Sequence, residues 1–227
     1  MERFIFNCIL WMVSTLATAQ NPALDLQRVL EPLKAEPFMY FENQYQYFED
    51  GKIQPLETMD GVFHRYNNSE YIRMGVVEVL KVGAVVINID HENRIVSVSN
   101  MDPANNLQNM VDVHQLHELL KTKKANLEYV SNKNTWKGIQ ISDPSRPKDK
   151  IFIYYDPESW HIKEVQIITP DPESYAETGK ASLIKVVVRY NNYSVAPKNF
   201  SYKTEQFVKM VGGKYLPIGI CKGYRLI

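Results

Sequence analysis

Polar and apolar residues alternate with a period of two over most of this chain, the spacing of strands whose faces meet different surroundings. Phe41, Asn43, Tyr45 and Tyr47 fall on one side of a first strand, and Glu42, Gln44 and Gln46 on the other. After a turn at Glu49-Asp50-Gly51 come strands over 59–66 and 70–74, joined through Asn67-Asn68-Ser69. The β-branched stretch 76–89 reads as two strands broken at Gly83, with Val85, Ile87 and Ile89 sharing a face. A polar turn at 90–94 then returns the chain antiparallel over 95–99. Strands resume over 126–130, 136–141, 150–155, 161–168, 183–190 and 207–211, with a last one near 224–227. Gly212-Gly213 marks a hairpin turn, and the proline-rich stretches 143–149 and 169–182 read as long loops.

The period changes to the helical one in two places. Asn21 can cap a short helix with Pro22 in its first turn, and Leu26, Val29, Leu30 and Leu33 line one face before Pro32 and Pro37 end it. A longer helix is expected from Asn105 or Asn106 to Lys124, with Leu107, Met110, Leu116 and Leu120 at helical spacing. Ahead of both, Arg3 precedes an apolar run from Phe4 to Leu16 that ends in Ala17-Thr18-Ala19. That run is shorter than the roughly 20 residues needed to span a bilayer and has the form of a cleaved signal peptide, residues 1–19. The working chain is then a single domain, 20–227, outside the cytoplasm. Consecutive short strands with tight turns describe an antiparallel meander, and the fold class expected is α+β, a large antiparallel sheet packed by two helices.

Composition narrows the function. Lys plus Arg and Asp plus Glu both number 26, so the formal net charge is zero and nothing draws the chain to nucleic acid. Fourteen Tyr and nine Phe are many for 227 residues and favour strands. Cys8 leaves with the leader, so Cys221 has no partner for a disulfide; this suits a bacterial periplasm better than a eukaryotic secretory route. Gln20 rather than Cys follows the cleavage site, so no lipid anchor is expected. The charged residues on strand faces argue against an integral outer-membrane barrel.

No motif declares a catalytic chemistry. His114 and His117, with Asp112 and Glu118 nearby, share a helix face, but the order His-Gln-Leu-His-Glu matches neither of the usual zinc-protease helices. A solvated polar face is the plainer reading, and no metal or other cofactor is expected. Asp90-His91-Glu92-Asn93-Arg94 and Tyr155-Asp156-Pro157-Glu158-Ser159 are turn chemistry. Cys221 lacks the context of a catalytic thiol.

What remains is an unusual supply of sheet aromatics, including Phe41, Tyr45, Tyr47, Phe63, Tyr71 and Tyr129. They pack a core, or they line the concave face of a curved sheet and leave an apolar cavity. A cavity of that kind suits acyl chains, whose burial stabilises by about 0.8 kcal/mol per methylene without requiring a polar partner.

The order of elements resembles the LolA-like periplasmic lipoprotein-carrier superfamily, particularly its Bacteroidetes-type versions. The likeness is carried by the leader and N-terminal helix, the strand Glu70-Tyr-Ile-Arg-Met74, and the hairpins 87–98 and 153–162 with its Asp-Pro turn. It implies an unclosed half-barrel with helices on the concave face, and a ligand that is a lipid or an acylated lipoprotein. It also implies that Arg73 holds the helical lid. The ligand-binding set expected is Phe41, Tyr45, Tyr47, Phe63, Tyr71, Arg73, Ile87, Met110 and Leu116, in a non-enzymatic periplasmic carrier. The alternative is an accessory protein of a cell-envelope assembly that uses the fold to dock an envelope partner.

Overall fold

In the computed structural model, residues 21–101, 125–171, 174, 182–199 and 201–227 are described. Helix α1 (Pro22–Ala35) opens the fold, its Asn21 cap accepting from the Ala23 amide at 3.0 Å. Strands β1 (Phe38–Glu49), β2 (Glu57–Tyr66), β3 (Ser69–Met74), β4 (Val77–Val82), β5 (Val85–Asp90) and β6 (Ile95–Asn100) form one meander. A second meander holds β7 (Asn126–Lys133), β8 (Trp136–Asp143), β9 (Arg146–Tyr155), β10 (Ile162–Pro170) and β11 (Leu183–Ser194). A C-terminal segment adds the separate hairpin β12 (Val208–Val211) and β13 (Lys214–Pro217), then the short β14 (Arg225–Leu226).

Among the described residues twelve strands make one sheet in the order β14-β6-β5-β4-β3-β2-β1-β11-β10-β9-β8-β7. The two meanders join along β1 and β11, and the end strands β14 and β7 do not meet, so the barrel is unclosed. The architecture is the expected α+β half-barrel, with one departure: β14 pairs with β6 in parallel. The expected helix at 105–124, and with it Met110, Leu116, His114 and His117, lies outside the described residues. The expected loop at 143–149 is instead a tight turn. Asp143 accepts from the Ser145 amide at 2.8 Å and its hydroxyl at 2.6 Å, so β9 starts at Arg146. Pro147 is tolerated there because β10 pairs with β9 only from Lys150 onward.

The register divides the apolar side chains between the two faces. On one face the core consists of Leu26, Val29, Leu30 and Leu33 of α1 packed on Met39, Phe41, Phe63, Ile139, Ile141, Ile153, Tyr155 and Ile162. The second core lies on the opposite face of β3–β6, where Tyr71, Leu80, Ile87, Ile89 and Val96 are covered by Phe207, Val208 and Cys221 of the C-terminal segment. Burial pushes the Cys221 thiol up to about 11, with the Glu78 carboxylate adding to the shift. A polar chain borders this core: Tyr71 donates to Glu78 at 2.9 Å, and His91 bridges Glu78 and Tyr224 at 2.9 Å each.

Helix α1 is tied to the sheet at both ends. Near its start the Asp25 carboxylate accepts from Tyr129 at 2.9 Å and from Tyr155 at 2.7 Å, on β7 and β9. Near its end the Arg65 guanidinium, on β2, donates to the carbonyls of Leu33 at 2.9 Å and Glu36 at 3.3 Å, and to Glu70 at 2.7 Å. Six strand spacings separate β2 from β7, roughly 29 Å along the sheet, whereas a helix rises only about 12 Å from Asp25 to Leu33. Side chains that must also cross the gap between helix and sheet cannot make up that difference on a flat sheet. The sheet therefore curls around α1, and the helix lies on its concave face.

On the outer face, Glu164 is fully buried and accepts from Lys133 at 2.6 Å, Gln166 at 2.6 Å and Arg189 at 3.1 Å. Burial alone would raise its pKa, but these donors outweigh it and hold the carboxyl below the ordinary glutamate value of 4.5. A group with a lowered folded pKa stabilises the fold above the unfolded value and stops doing so as the pH falls through the folded one. Urea midpoints should therefore drop between pH 5 and pH 3, and by less in Glu164→Gln, which should be less stable than wild type at pH 7. Replacing Arg65 with Leu leaves a buried Glu70 without its guanidinium and should cost about 3 kcal/mol or more, read from the same urea curves at pH 7.

Candidate functional site

Two cross-sheet rows on the concave face run from β7 to β2. The first is Tyr129, Ile139, Ile153, Val165, Val188, Tyr45 and Met59, each paired with the next across neighbouring strands. The second is Leu127, Ile141, Ile151, Ile167, Val186 and Tyr47, ending at Glu57. Side chains opposite one another in antiparallel pairs share a face, so the rows form a continuous apolar surface.

Helix α1 seals only part of this surface. Ile139, Ile141 and Ile153 are 0–1% exposed, whereas Leu127, Ile151, Val165, Ile167, Val186, Tyr45 and Tyr47 stay half-buried. The result is a trough beside the helix. The other side of the same strands is mixed, with Gln140, Gln166, Glu164 and Arg189 set among Phe152, Tyr154 and Val187, whereas the concave rows are almost wholly apolar.

Polar groups on the trough floor are few. Asn43 donates to the Tyr45 hydroxyl at 3.2 Å, and its carboxamide lies over Gly61, where any side chain would collide with it and with the Arg73 carbonyl. Tyr190, opposite Asn43, and Tyr45 both have hydroxyls raised by burial. Phe41 stacks on Phe63 with ring centroids 4.9 Å apart and meets Tyr190 edge-on at 5.2 Å. These groups offer an apolar bed with little hydrogen-bonding specificity, and no nucleophile paired with a base. Among the described residues no group of three or more His, Cys, Asp or Glu is arranged to hold a metal.

The structure brings together part of the expected binding set. Phe41, Tyr45, Tyr47 and Phe63 share the concave face. Tyr71, Arg73 and Ile87 do not join them. Pairing of Phe63 with Ile72 and of Val62 with Arg73 sends Tyr71 and Arg73 to the opposite face, and Tyr71 opposite Leu80 opposite Ile87 carries Ile87 there too. Tyr71 and Ile87 are buried in the second core, and Arg73 is exposed. The arginine that holds the helix is Arg65. It was missed, although a charged residue two positions from Phe63, on the same face, is the kind of exception that marks a role. Asp25 was also missed, since nothing local to it announces two tyrosines more than a hundred residues away.

Fold and surface together define an unclosed half-barrel whose concave side carries one helix and an apolar trough. No protein-family model and no curated protein matches the sequence. Among solved structures the chain is similar to the MucA/MucB complex of Pseudomonas aeruginosa, at 10% identity and a TM-score of 0.45, covering 88% of this chain and 64% of that one. The match thus spans less than two thirds of that chain. It is also similar to the LolA superfamily protein NE2245 from Nitrosomonas europaea, at 6% identity and a TM-score of 0.32, covering 80% and 96% of the two chains. LprF from Mycobacterium bovis is similar at 10% identity and a TM-score of 0.39, covering 78% and 94%. No helix among the described residues is long and apolar enough to cross a membrane.

The clamp that sets the helix over the trough has a spectroscopic signature. Burial, then the hydrogen bond to Asp25, pushes the Tyr129 hydroxyl up to about 12 and raises that of Tyr155 as well. Asp25→Ala removes the shared acceptor, and the buried Tyr155 hydroxyl should cost about 1–3 kcal/mol when left without it. Ultraviolet pH titration should show at least one tyrosine ionising at lower pH in Asp25→Ala than in wild type.

Proposed function

We propose that this chain is a non-enzymatic binding or carrier protein of the bacterial cell envelope that holds a lipid-like or acylated (lipoprotein) ligand on the trough beside α1. On this reading residues 1–19 are removed as a signal peptide and residues 20–227 act in the periplasm. The observation that carries the proposal is the double row from β7 to β2, apolar on the concave side and only half covered by the helix. An acyl chain laid along it gains about 0.8 kcal/mol for each methylene removed from water, with no need for a matching polar group. The scarcity of polar groups on the floor is consistent with a ligand recognised by its hydrocarbon.

The test is native mass spectrometry of the exported, detergent-free protein, with organic extraction of whatever co-purifies. Bound lipid at near one per protein is expected, together with uptake of a fluorescent fatty acid. Tyr47→Glu and Ile167→Glu should each weaken that uptake at least tenfold. Gln46→Glu, one residue away on the opposite face, should leave it unchanged. A protein that emerges empty and takes up no fatty acid would overturn the carrier reading and leave the envelope-accessory role in front.

A further inference from the structure

The C-terminal segment differs in charge from the chain as a whole. Residues 201–227 hold Lys203, Lys209, Lys214, Lys222 and Arg225 against the single acidic side chain of Glu205, within a protein of zero net charge. The same segment concentrates exposed apolar side chains: Met210 is 61% exposed, Ile220 60%, Val211 49% and Leu216 45%. In the β12–β13 hairpin, Lys209 pairs with Leu216 and Val211 pairs with Lys214. Two lysines and two aliphatic residues therefore alternate in a checkerboard on one solvent face. The opposite face is anchored to the second core by Val208, which is 2% exposed.

The turn projects this face outward. Gly212 and Gly213 both have positive φ, 58° and 79°, which suits a two-residue hairpin turn. A Cβ built on either would meet no atom within 4 Å, so the tip stands clear of the rest of the protein.

We propose that the Lys209/Leu216–Val211/Lys214 face of this hairpin is a docking surface for an anionic phospholipid bilayer. Charge complementarity singles out this occupant. Clustered lysines are attracted to a negative lipid surface, and neighbouring aliphatic side chains enter the boundary between headgroups and acyl chains, a combination that neither a neutral membrane nor a basic partner rewards. The trough and the hairpin lie on different elements, so the proposal does not depend on the trough holding a ligand.

The experiment is co-sedimentation of the full-length mature chain with vesicles of phosphatidylglycerol and phosphatidylcholine, against pure phosphatidylcholine, at low and high salt. Binding is expected to the anionic vesicles, at least tenfold weaker to the neutral ones, and weaker in high salt. Loss of each lysine should cost roughly fivefold, so Lys209→Gln/Lys214→Gln should bind about 25-fold more weakly. Val211→Ser/Leu216→Ser should also lose binding while keeping its melting temperature, because these side chains are exposed. Tyr47→Glu should still bind vesicles, and the lysine variant should still take up fatty acid, so that failure of one site is distinguishable from failure of the other. Equal binding to both vesicle types, or hairpin variants that bind like wild type, would overturn the proposal. So would a dimer in solution that Leu216→Ser abolishes, with no vesicle binding, which would assign the face to a second copy of the chain.

Discussion

The structure depends on the tethering of α1 at both ends. Apolar packing is non-directional, and the stripe Leu26, Val29, Leu30 and Leu33 alone would let the helix shift along the sheet. Directional bonds prevent this. Asp25 draws β7 and β9 together through Tyr129 and Tyr155, and Arg65 holds β2 to the last turn of the helix. The guanidinium meets the carbonyl end of the helix, where the helix dipole favours a cation. Because these anchors sit on strands far apart in the sheet, the bonds that place the helix also set the curvature of the trough.

The second constraint is the change of apolar face along the sheet. From β7 to β2 the concave side carries the hydrophobic residues, and over β3–β6 the convex side does. The helix covers part of the first set and leaves the trough beside it, while the C-terminal segment covers the second. The transition falls at the β2–β3 hairpin, where Arg65 and Glu70 form a buried ion pair on the concave side and His64 and Tyr71 lie opposite them.

Much of this was legible in the sequence. The two faces of β1 followed from Phe41, Asn43, Tyr45 and Tyr47 alternating with glutamate and glutamines, and the first helix from Asn21, Pro22 and its apolar stripe. The face of Tyr71 was legible too, but was read wrongly. A two-residue turn at Asn67-Asn68 pairs Tyr66 with Ser69, and counting back from it sets Ile72, not Tyr71, beside Phe63. The arginine was misplaced for a different reason. Arg65 and Arg73 both lie on strands, and what separates them is contact with a helix some thirty residues earlier, which no local pattern encodes. The turn at 143–146 was read as loop because its prolines hid an Asp143 side chain that closes it.

The β1–β11 seam has a consequence for the order in which the chain can assemble. Each meander is made of neighbours in sequence and can form as it is synthesised. The seam cannot, because Tyr45 waits for Val188, and neither can the β6–β14 edge, where Ile95 waits for Arg225. Closing such distant pairs carries a loop-entropy cost before any contact rewards it, which slows folding. Until the C-terminal segment arrives, the second apolar face, on β3–β6, is open to water, whereas α1 precedes every strand and is at hand to cover the first. A chain still lacking its C-terminal segment is therefore a sheet with one apolar face uncovered, vulnerable to pairing with its neighbours.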